Sequence, residues 1–142
     1  MKIKEVILTQ IELINNFILE LDRISIEMGK ENVNEDYILD LYLNLLKKYP
    51  GNPVILKKFA EFLQLISSKS LYTQYKLDDV SNLYENLTRL NPSDIDQELE
   101  HYYFMYNVMD EVSKAKSILM KIKNQMKQIS DAENWPDAVS DS

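Results

Sequence analysis

The 142-residue chain is 45% hydrophobic and 27% charged, a composition that supports one globular domain and argues against disorder. Two glycines and four prolines are too few for the turns of an all-β fold, and the absence of cysteine excludes disulfides, thiolate catalysis and cysteine-ligated metals. A net charge of −7 disfavours nucleic acid, which requires a basic face; it either keeps the chain soluble or suits a basic protein partner.

Residues 3 to 28 carry an amphipathic helix. Ile7, Ile11, Ile14, Ile18 and Leu21 step by four and three, and Ile3, Phe17, Ile24 and Met28 widen the stripe. The narrow row alone suits a coiled-coil dimer, and hence self-association; the wider stripe predicts a helix lying on a domain core. Gly29 is placed to end it in a left-handed cap. Glu5, Gln10 and Glu12 interrupt any signal-peptide core. No apolar run approaches the ~20 residues that span a bilayer, so the expectation is a cytoplasmic protein with no membrane partner.

Asn34 caps the next helix, with Glu35 and Asp36 in its first turn and Ile38, Leu41, Tyr42, Leu45, Leu46 and Tyr49 inward. Pro50 stops it. At the corner Asn52 is a natural N-cap and Pro53 a natural first helical residue. Ile55, Leu56, Phe59, Phe62, Leu63 and Ile66 form the next apolar face, with Ala60 allowing close approach. Residues 67–77 admit three readings: a helix extension, a short extra turn or a loop. Asp78 or Asp79 caps a helix with Val80, Leu83, Tyr84, Leu87 and Leu90 inward, ended by Pro92. Ser93 with Asp96 resembles a capping box opening a helix that carries Ile95, Leu99, Tyr102, Tyr103 and Tyr106. Asp110 starts the last helix, with Val112, Ala115, Leu119, Ile122 and Met126 inward. The predicted organisation is a domain over 1–127 and an acidic flexible tail over 128–142, in which Trp135 either tucks back onto the helices or anchors a partner.

Leu41, Tyr42, Asn44, Leu45 and Pro50 return as Leu83, Tyr84, Asn86, Leu87 and Pro92, the mark of a helical repeat. On Leu56, Phe59, Ala60 and Leu63, on Val80, Tyr84 and Leu87, and on Leu99, Tyr102, Tyr103, Tyr106, Ala115, Leu119 and Ile122, the chain resembles the tetratricopeptide repeat (TPR) family. Two departures stand out: the repeat is longer than the usual 34 residues, and bulky Tyr103 occupies a small-residue position. The resemblance implies an all-α fold of antiparallel helical hairpins stacked as a short superhelical array. It also implies a concave groove that receives a peptide or a partner's helix. Carried over, the groove positions are Val54, Lys57, Glu61, Gln64, Gln97, Glu100, Phe104 and Asn107. The family's carboxylate clamp is incomplete, since Glu61 replaces an asparagine and Gln97 and His101 stand where cations are expected. Glu61 and Glu100 would instead prefer a basic or neutral ligand.

His101 is the only histidine. With Glu98 it has the spacing of a di-iron ligand pair, but the second histidine such a site needs does not exist, so no metal or cofactor is expected. No glycine-rich phosphate loop or serine-nucleophile motif is present. Asp94, Asp96, Glu98, Glu100, Asp110 and Glu111 form an acidic run, half of it explained by helix starts. The expectation is a non-enzymatic scaffold or adaptor for protein binding. The alternative is an immunity or antitoxin-like inhibitor whose acidic surface blocks a basic toxin.

Overall fold

Local chemistry sets most of the helix boundaries. The computed structural model describes residues 2–133, which form helices and no strand: α1 (Lys2–Met28), α2 (Glu35–Lys48), α3 (Pro53–Leu65), α4 (Lys69–Tyr72), α5 (Leu77–Leu90), α6 (Ile95–Tyr103) and α7 (Val112–Glu133). The fold is all-α. No described helix is long and apolar enough to cross a membrane. Asn34 accepts a hydrogen bond from the Tyr37 amide, and Asn52 accepts from those of Val54 and Ile55, so both predicted caps form.

Other boundaries differ from expectation. Gly29 ends α1 without a left-handed backbone, its amide bonding the Ser25 and Ile26 carbonyls; the left-handed glycine is Gly51, with φ 74° at the α2–α3 corner. The cap of α6 is Asp94, which accepts from the Gln97 amide at 3.0 Å; Ser93 points its hydroxyl at Asn91 instead. Lys76 precedes α5, and Asp79 closes that turn by accepting from the Lys76 amide at 2.8 Å. Within 67–77 a short turn, α4, buries Leu71. The last helix runs past Lys127 to Glu133 because no breaker intervenes before Pro136. The rest of the predicted tail, with Trp135, lies outside the described residues.

Successive helices fold back on one another. Glu35, at the start of α2, accepts bonds from Ser67 and Ser68 just beyond the end of α3, so α2 and α3 are antiparallel. Phe17 in mid-α1 packs edge-on against Tyr49 at the end of α2, and Lys121 of α7 pairs with Glu98 near the start of α6, which sets the same relation there. A first core joins Ile24, Ile38, Tyr42, Leu45, Ile55, Phe62, Ile66 and Leu71. A second joins Ala60, Val80, Tyr84, Phe104, Met105 and Ala115. Each fully buried large aliphatic side chain contributes roughly 1.5–3 kcal/mol. Ala60, fully buried in the second core, leaves room for α3 and α5 to pack together.

Three predicted faces need correction. On α6 and the turn that follows it, the buried residues are Gln97, Glu98, His101, Phe104 and Met105, while Tyr103 and Tyr106 are exposed. The helix is rotated because it packs on α5 and α7 together. A π-helical turn over Phe104–Val108 then turns both Phe104 and Met105 inward. On α7 Ala115 and Ile122 are buried but Val112 and Met126 are not. On α1, Ile3, Ile7, Ile11, Ile14 and Ile18 are all exposed, contrary to a helix lying along a core. Only Phe17, Leu21, Ile24 and Met28 pack, because α2 ends at Lys48 and offers nothing further to lie on.

Candidate functional site

The π turn and the packing of α6 bring that helix beside α3, with Tyr84 of α5 at the back. Lys57 of α3 lies 3.7 Å from Glu100 of α6. Tyr84, buried, accepts from Gln64 Nε2 at 2.7 Å and packs against Phe104 at 5.3 Å. Two cavities open along this seam. One, of about 440 Å³, is lined by Val54, Lys57, Glu61, Asp94, Gln97 and Glu100, among others. The other, of about 520 Å³, is lined by Glu61, Gln64, Tyr84, Tyr103, Phe104 and Asn107, among others. A third, of about 400 Å³, reaches from Glu61 and Leu65 to Leu21, Ile24 and Met28 of α1. All three share Glu61, so they form one depression crossing α1, α3 and α6.

Of the residues expected in a groove, Lys57, Glu61, Gln64, Gln97, Glu100, Phe104 and Asn107 line these cavities. His101 does not. It is buried and stacked on Tyr84, ring centroids 5.7 Å apart and nearly parallel. One helical turn separates it from Gln97, and α6 presents that side to α5. Burial holds its pKa low, against the opposing pull of Glu85 and Glu98. Its Glu-x-x-His partner, Glu98, is 1% exposed and pairs with Lys121 at 2.7 Å. No group of ligating side chains among the described residues could hold a metal ion.

The electrostatic centre of the depression is Glu100. Burial pushes its pKa up to about 7, the neighbouring Glu61 carboxyl adds to the rise, and Lys57 opposes it. A carboxyl facing another carboxylate gives up its proton reluctantly. Burial, with Glu61 nearby, raises the Tyr42 phenol to about 12, and burial with Glu100 raises that of Tyr84. Both phenols therefore remain neutral hydrogen-bonding groups. Gln97 is 4% exposed and its Nε2 has no hydrogen-bond partner, so a buried donor at the cavity wall is left unpaired, at a cost of about 1–3 kcal/mol.

Of Tyr102 and Tyr103, one of which the sequence offers as an exposed binding anchor, Tyr103 is exposed and lines the depression; sequence reasoning missed Leu65, 67% exposed where two cavities meet. The signal for Leu65 was an apolar residue off the core stripe of α3. The acidic run of α6 is largely engaged within the chain: Asp94 caps, Glu98 pairs with Lys121, Glu100 with Lys57 and Glu111 with Lys114.

No protein-family model matches the chain, and neither the curated proteins nor the solved structures contain a significant match.

Proposed function

We propose that this chain is a non-enzymatic protein-binding module whose α1–α3–α6 depression receives a peptide or partner helix bearing a lysine or arginine side chain. One observation carries the reading: Glu61 and Glu100 share the middle of the depression, where burial and that proximity push the Glu100 pKa up to about 7. A ligand cation placed between them would replace the proton and relieve the repulsion. Gln97, the unpaired buried donor beside them, supplies a bond for a peptide carbonyl. Tyr103 and Leu65 supply exposed apolar area beside the acidic pair, of the kind that anchors partners. The likeness to TPR repeats in residues 35–127 supports the same reading, since such repeats use this kind of groove.

The inhibitor alternative draws less support, because half of the acidic run that would face a basic toxin, Asp94, Glu98 and Glu111, is engaged within the chain.

Selection of dodecapeptides on the immobilised chain tests the proposal. Basic sequences should be enriched, and their affinity should rise between pH 6 and pH 8 as Glu100 loses its proton. Glu61→Gln with Glu100→Gln should weaken binding at least about tenfold, the loss of one charge-assisted contact. Enrichment of acidic peptides, or affinity indifferent to the double change, would sink it.

A further inference from the structure

Helix α1 is longer than anything it packs on. Phe17 meets Tyr49 just past the end of α2, so residues 2–16 project for about 22 Å without a neighbour, every one of them exposed. Along this projection and its root, Ile7, Ile11, Ile14 and Ile18 are 52%, 48%, 54% and 47% exposed. Their alternating steps of four and three make the a/d seam of a coiled coil. Ile18 stays open although Phe17 and Leu21, the row's next member, are packed, so the open row is the part of the stripe that runs beyond the first core.

We propose that this seam pairs, antiparallel, with α1 of a second copy of this chain. A 4–3 row of isoleucines is complementary to itself under a two-fold axis. Antiparallel overlap sets Ile11 against Ile14 of the second copy and Ile7 against its Ile18. Charge favours this occupant. Lys2 and Lys4 balance Glu5 and Glu12 within residues 2–16, so two projections meet without net repulsion. The antiparallel order keeps the remainder of each copy, which carries the whole net charge of −7, at opposite ends. The packed half of α1 already holds the helix nucleus, so little further ordering is needed for the projecting half to pair.

Sedimentation of the full chain at a concentration on the order of 100 µM should give twice the 16.7 kDa mass of one chain. Ile11→Asp with Ile14→Asp should return it to the single-chain mass with unchanged helicity, because neither side chain packs on the core. The chain has no cysteine, so disulfide trapping is clean. A mixture of Ile11→Cys and Ile14→Cys chains should cross-link faster than either variant alone. A single-chain mass at that concentration, a dimer insensitive to the aspartates, or preferential self-linking of Ile11→Cys each overturns the proposal. So does a single-chain species that floats with phosphatidylserine vesicles, which would give the apolar row to a lipid surface.

Discussion

The two cores of the molecule are built on different terms. The first, joining α1, α2, α3 and α4, is apolar and aromatic: Tyr42 packs against Phe59 and Phe62, and the phenol donates to the Lys58 carbonyl at its edge. The second, joining α3, α5, α6 and α7, lies against buried Glu98, Gln97, His101 and Ser81. The apolar core needs only volume and shape. The polar one needs each buried group to find its partner, and it does so incompletely: Glu98 Oε1 gains Lys121 as an ion-pair partner, while Glu98 Oε2, Gln97 Nε2 and His101 Nε2 stay unpaired. Of these unpaired groups, Gln97 lies at the wall of the depression.

The contrast can be broken by substitution. Ile38→Ala, at a fully buried position of the first core, should cost about 3–4 kcal/mol, read as a lower urea midpoint at an unchanged slope. A cost under ~1 kcal/mol would mean that this core is not packed as described. In the second core the ion pair should behave asymmetrically. Lys121→Met leaves the carboxylate of Glu98 buried alone and should cost about 2 kcal/mol, less than for a fully buried pair because half of Lys121 is in solvent. Glu98→Met should be close to neutral; equal losses from the two changes would contradict the pairing.

The smallest effect depends on pH. Glu100 has a folded pKa above its ordinary value, so the folded chain holds its proton more firmly than the unfolded one. Its contribution is fully present below about 4.5 and lost as pH rises through about 7. Glu100→Gln should therefore leave stability unchanged at pH 4 and raise it at pH 8. The gain, reduced by the side chain's partial exposure, is about 1 kcal/mol. A gain that is the same at both pH values would remove Glu61 and burial as its cause.

The first core was legible because its signals are local. Asn34 and Asn52 cap through their own neighbours, and the apolar spacing of α2 and α3 names the buried face in advance. The inward face of α6 was not legible. Its polar residues turn inward because Lys121 arrives from α7 and the Tyr84 ring from α5, and no spacing within α6 announces either. Of the tyrosines that look like its apolar face, Tyr103 and Tyr106 remain in solvent and only Tyr102 packs on the core. The residues that the repeat pattern names from Lys57 to Asn107 line the depression. His101 is the exception, buried against Tyr84 of α5.

Periodicity and capping residues settled the all-α class, most helix boundaries and the first core, because each depends on side chains a few residues apart. The tertiary arrangement alone decided that Glu61 and Glu100 meet across a depression, that Glu98 is buried with Lys121, and that the isoleucine row of α1 stays uncovered. Those outcomes depend on which helix lies beside which and where α2 stops, and they are set by contacts between residues far apart in the chain.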